Sequence, residues 1–127
     1  MAPRDASFIL FPAAQAMVDA IWSETDLRYP PSVERLPRHA TATIASANRL
    51  SLFLPDRVAS WCLLHELAHA MTTTVDGHSD RHGPVFVGMY VRLLVRYLRL
   101  DESELLRSVQ DSEIHIMRNA RPVFLDP

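Results

Sequence analysis

Residues 57 to 72 constrain the fold most tightly. Val58, Trp61, Leu63, Leu64, Leu67, Ala68 and Met71 recur at helical spacing and fall on nearly all sides of the predicted helix. A helix that is apolar all round has to be buried, so the rest of the chain must enclose it. The same segment carries His65, Glu66 and His69. A carboxylate on such a helix is costly unless something pairs with it.

The enclosing elements can be read on either side. Pro12 to about Thr25 is a helix, with Pro12 in its first turn and Ala13, Met17, Val18 and Ile21 as its apolar stripe. Tyr29-Pro30-Pro31 ends it. Ser32 to Leu36 and Thr41 to Ser46 alternate as strands do, Ser46-Ala47-Asn48 reads as a turn, and Arg49 to Leu54 is the strongest strand pattern. Pro55-Asp56 stops that strand, and Asp56 is placed to N-cap the buried helix. Thr73 to His82 is a polar loop. Gly83-Pro84 opens a helix to about Leu100 with Phe86, Met89, Tyr90, Leu93 and Tyr97 as its core stripe. Asp101 and Glu104 form a capping pair for a short helix to about Gln110. Ile114, Ile116 and Met117 suggest a short strand before a loose end. The sum is an α+β fold: a small sheet on the buried helix, with three further helices. The 127 residues suit one domain, 1–127, which can bury a core without disulfides.

Four of the six histidines fall between positions 65 and 82. His65 and His69 are four residues apart, which puts both imidazoles on one helix face, about 6 Å apart along the axis. One divalent ion can bridge them, and zinc prefers such nitrogen ligands in tetrahedral geometry. Glu66 lies about 60° round the helix from His69, beside the ligand face. From there it can act as general base toward water whose pKa zinc lowers to about 7. His65-Glu66-Leu67-Ala68-His69 thus holds two ligands and a base at the spacing of H-E-x-x-H.

A catalytic zinc needs a third protein ligand. In one arrangement it would fall at Val75, which cannot bind metal. Another takes a glutamate from the next long helix, but residues 84–100 contain no acidic residue. Asp76, His78, Asp80 and His82 remain. His82 precedes Gly83-Pro84 and is anchored by the helix that follows, so it is favoured over His78, with the aspartates last.

The segments His65-Glu66-Leu67-Ala68-His69-Ala70 and His82-Gly83-Pro84-Val85-Phe86 resemble the paired motifs of SprT-like zincins, chiefly those of small bacterial metallohydrolases. The resemblance is strong from about Arg49 to Leu94. It implies that His65, His69 and His82 bind one zinc ion and that Glu66 is the catalytic base. It further implies a minimal zincin fold, a peptide or protein substrate, and Arg49 to Leu54 as a strand that pairs with it by strand addition. Many members also carry a cysteine-rich, DNA-linked zinc ribbon. This chain has only Cys62.

A single cysteine excludes an internal disulfide and suits the cytoplasm. Phe8 to Phe11 is too short for a signal-peptide core, and no stretch approaches a membrane span. The net charge of -2 offers no basic excess to nucleic acid. The leading expectation is therefore a zinc metallohydrolase acting on peptide bonds. A zinc-stabilised binding or regulatory module is the alternative, and a DNA-associated SprT-like protease the third. Arg92, Arg96 and Arg99 read as a solvated helix face rather than an anion patch, and Cys62 as an inert thiol. Tyr90, Tyr97 and Arg81 are candidate oxyanion stabilisers. Asp76 and Asp80 could orient a ligand imidazole. His39 and His115 have no partner pattern.

Overall fold

A computed structural model describes residues 8–25, 27–36, 45–74 and 76–122. The expectations for His39, Val75, the first part of the Thr41–Ser46 strand and the chain end from 123 lie outside them. The elements run β1 (Phe8–Leu10), α1 (Phe11–Trp22), β2 (Ser32–Arg35), β3 (Ser46–Ala47), β4 (Ser51–Leu54), β5 (Arg57–Ala59), α2 (Ser60–Met71), α3 (Pro84–Tyr97) and α4 (Glu102–Asp111). The fold is mixed α+β. No helix among the described residues is long and apolar enough to cross a membrane.

The buried helix is α2. It packs on α3 and on β3, β4 and β5. Leu63, Leu64, Leu67 and Met71 are fully enclosed, together with Trp22 and Val18 of α1, Leu52 and Leu54 of β4, and Leu94 of α3. On α1 the buried stripe is Ala14, Val18, Ile21 and Trp22. Ala13 faces outward and Met17 is half-buried, so the helix is turned by about one residue from the expected stripe. Gln15 fastens α1 to the sheet, its side chain accepting from Val33 N at 2.7 Å and donating to Pro31 O at 3.1 Å. Pro84 opens α3 as expected, and Asp101 caps α4 by accepting from Glu104 N at 2.9 Å.

Four local expectations are corrected. Asp56 does not cap α2. Residues 57–59 instead form β5, antiparallel to β1 with Ile9 opposite Val58, and α2 starts at Ser60. Asp56 serves that junction, its carbonyl accepting from Phe11 N at 2.8 Å and its carboxylate pairing with Arg35. Ser46-Ala47 is a strand, not a turn. The turn follows it, where Asn48 Oδ1 accepts from Leu50 N and Ser51 N at 2.9 Å each, and so delays β4 to Ser51. No strand forms at Ile114–Met117. That segment is held to the helices by single bonds, Ile114 N to Val109 O and Met117 N to Pro84 O, both 3.0 Å. Finally, β4 is the centre of its sheet. β2 pairs with it in parallel across Ser51–Leu54 and β3 pairs antiparallel at Leu52 and Phe53. Both edges carry ladder bonds, so β4 cannot receive an added peptide strand.

Candidate metal centre

Most of α2 is buried, but Trp61, Cys62, His65 and His69 lie on its more open side, toward α3. The i, i+4 spacing sets the two imidazoles edge to face, with ring centroids 4.8 Å apart. His82 joins them from the turn before α3, its ring 5.4 Å from that of His65 and 4.7 Å from that of His69. One ligand nitrogen from each of the three lies within 4.8 Å of the others. His82 is exposed, so the cluster opens to solvent on that side.

The nitrogens suit a cation. His69 Nε2 and His82 Nε2 face each other at 3.0 Å. Two neutral ring nitrogens that close need a proton or a metal ion between them. The nitrogen-to-nitrogen edge of a zinc tetrahedron is about 3.3–3.4 Å. The widest spacing of the set exceeds that edge by about an ångström or more, within reach of imidazole rotation. Burial, and next the neighbouring His65, lower His69 to about 4, so it stays neutral with a lone pair to offer at neutral pH. His65 Nδ1 meets Glu66 Oε1 at 3.0 Å. When Nδ1 carries the proton and donates it to the carboxylate, Nε2 of His65 is left as the ligand atom.

Glu66 is buried, at 6% exposure, and His65 is its hydrogen-bonding neighbour. Tyr90 closes the inner side. Its ring stands edge-on to His65 at 5.3 Å, and its hydroxyl donates to Trp61 O at 3.3 Å. Burial, then Cys62 and Glu66, push the Tyr90 hydroxyl up to about 12, so it remains a donor. Burial and Glu66 likewise push the Cys62 thiol up to about 11, which keeps it protonated and a poor nucleophile.

Phe86 is the floor of the cluster. It stacks on His69 at 4.2 Å and 21°, and stands edge-on to His65 at 5.1 Å and to His82 at 4.9 Å. One residue of α3 therefore touches all three imidazoles. In the sequence it read as part of a core stripe and as the last residue of the second motif, with no contact to the histidines assigned.

The remaining candidates lie apart. His78 is taken up in a turn with Thr74, whose hydroxyl accepts from His78 N at 3.0 Å and whose amide donates to His78 O at 2.8 Å. Asp76 is exposed outside the cluster. Asp80 supplies no ligand atom to the cluster and instead accepts from backbone amides of α3. Tyr97 is bound to Glu24 at 2.6 Å, Arg81 is exposed on the turn, and His115 is exposed. Arg92 and Arg96 are exposed but fastened, to Ala120 O and to Glu24 respectively, while Arg99 is exposed at the end of α3. A groove of about 960 Å³ beside Arg92, Arg96 and Arg121 includes none of the site histidines. Arg49 was missed as more than a strand residue. It is 4% exposed, stacks over Trp22, and donates to Ala70 O and Met71 O at 3.3 Å, which secures the end of α2.

No family model, curated protein or solved structure matches this chain.

Proposed function

We propose that this protein is a zinc-dependent hydrolase that cleaves peptide bonds in the cytoplasm, built as a minimal SprT-like zincin. The convergence of His65, His69 and His82 beside the buried carboxylate of Glu66 carries the reading. The exposed His82 side supports catalysis, because a catalytic zinc keeps a position open whereas a structural one is closed by four protein ligands. The resemblance of the two motifs to SprT-like zincins supports an amide substrate.

Zinc in such a site supplies Lewis acidity and lowers the pKa of water to about 7. His65, His69 and His82 would hold the ion. Glu66 takes the proton of the attacking water and returns it to the leaving amine. Its burial places that carboxylate in a low dielectric, where its charge acts strongly on nearby protons. Tyr90, kept as a hydroxyl, stands with its ring edge-on to His65. Purified protein should hold one zinc per chain. Glu66→Gln should keep that zinc and lose hydrolysis of an unstructured protein substrate, whereas His69→Ala should lose both. A metal-free wild type, or full activity in Glu66→Gln, would defeat the proposal.

One observation favours a second reading. Glu66 Oε1 meets His65 Nδ1 at 3.0 Å, the contact of a carboxylate that orients a ligand imidazole. The protein would then be a binding module whose zinc stabilises the fold. Function that survives Glu66→Gln but not His69→Ala would select it.

A further inference from the structure

The turn that delivers His82 is closed twice by one residue. Asp80 O accepts from Gly83 N at 2.8 Å. The Asp80 carboxylate then reaches over the turn to α3, Oδ2 accepting from Val85 N at 2.7 Å and Oδ1 from Phe86 N at 3.3 Å. Those amides are among the donors that a helix start leaves without intrahelical partners. Gly83, at the N-cap position, has no side chain with which to satisfy them. A Cβ on Gly83 would stand 2.8 Å from Asp80 Oδ2 and 2.9 Å from Asp80 O, so the glycine is what lets the carboxylate lie across the turn. Between the two anchors the backbone passes through Arg81 at φ 57°, in the left-handed region, and then through His82.

We infer that Asp80 is a positioning residue of the metal centre: it caps α3 from outside the helix and so holds His82 against His69. The same carboxylate also accepts from the amide of Phe86, a second fastening of the turn to α3. This inference rests on the zinc reading above. Asp80 supplies no ligand atom to the cluster. Its effect runs through His82.

The test is zinc affinity, measured by competition with a chromogenic chelator, in wild type, Asp80→Ala, Asp80→Asn, His82→Ala and the double variant Asp80→Ala with His82→Ala. Asp80→Ala should bind zinc about tenfold more weakly, the range seen when an outer partner of a ligand is lost. Asp80→Asn should fall between wild type and Asp80→Ala, because its one amide oxygen can still accept from Val85 N while its NH2 cannot accept from Phe86 N. Once His82 is gone, Asp80→Ala should cost less than about twofold, because the two residues act as one unit. Equal losses with and without His82 would overturn the inference, since Asp80 would then act through its charge or through stability alone. Asp80→Asn as weak as Asp80→Ala would overturn it for the same reason. Circular dichroism checks folding. If Asp80→Ala does not fold, Asp80→Asn decides: a partial loss that vanishes once His82 is also replaced supports the role, and no loss, or an equal loss with and without His82, overturns it. A wild type without zinc removes the zinc reading itself, whereas a zinc-binding wild type with unchanged Asp80→Ala removes only this inference.

Discussion

His65, Glu66 and His69 could be read from spacing because a helix obeys one period wherever it is buried. His82 could be favoured because Pro84 announces the helix that anchors it. Asp80 was a candidate, beside Asp76, to orient an imidazole, and Phe86 stood in the second motif, but their contacts depend on a turn that passes through a left-handed arginine, which no periodicity reveals. Phe86 is 3% exposed, and its loss is expected to cost about 3–5 kcal/mol, as for other buried aromatics cut to alanine. Urea unfolding of Phe86→Ala against Phe86→Leu separates ring contact from bulk. If only bulk matters, Phe86→Leu should bind zinc as wild type does, and if the ring orients the imidazoles both variants should bind it weakly. His69 gives a pH prediction. An unfolded histidine titrates near 6.5, whereas burial and His65 hold His69 to about 4 in the fold. Between those values the unfolded chain binds a proton that the folded chain refuses, so stability rises with pH there. Metal-free protein should be fully stabilised above about pH 6.5 and weaken as pH falls toward about 4. Urea midpoints across that window report it, and His69→Gln should flatten the slope. An unchanged slope in that variant would assign the effect to other groups.

At the scale of elements, the helices were legible and the strands only in part. Twelve or more residues of 3.6-residue period leave a pattern in α1, α2 and α3, whereas β1, β3 and β5 have three, two and three residues, too few to alternate convincingly. What makes them strands is their partners: β1 and β5 exist as a pair, and β5 displaces the start of α2 from Arg57 to Ser60. The capping of α2 is likewise set by tertiary structure. Its last carbonyls meet Arg49, a residue more than 20 positions earlier, and a cation there complements the negative end of the helix. The guanidinium is buried, so Arg49→Met is expected to destabilise the protein by about 1.5–3 kcal/mol, the worth of charge-assisted hydrogen bonds. Arg49→Lys should recover little, because a point charge cannot span two carbonyls as the planar fork does. Chemical denaturation of both variants checks this, and stability restored by lysine would show that charge alone matters.

Across the whole molecule, the site lies on one side of α3 and the chain's later segment on another. Residues 112–122 cross back over α3 without regular structure, tied by Met117 N to Pro84 O and by Arg92 to Ala120 O at 2.5 Å. Gly88 permits the crossing. A Cβ there would overlap the carbonyl oxygen of Met117 and stand 2.9 Å from Ala120 Cβ. A glycine inside a helix costs about 1 kcal/mol against alanine, so propensity alone predicts that Gly88→Ala stabilises the protein. Packing predicts the reverse, because the crowding atom is backbone and cannot rotate away, and overpacking costs about 1–3 kcal/mol. The overlap outweighs the helix gain. Gly88→Ala should therefore lower the urea midpoint and release the crossing segment, so that trypsin cuts after Arg118 at concentrations that leave wild type whole. Because Pro84 is both the first residue of α3 and the acceptor of the Met117 bond, that release reaches the turn holding His82. Zinc affinity should fall in Gly88→Ala alongside the new cleavage. Cleavage without any change in zinc affinity would mean that the crossing segment packs on α3 but plays no part in seating the site.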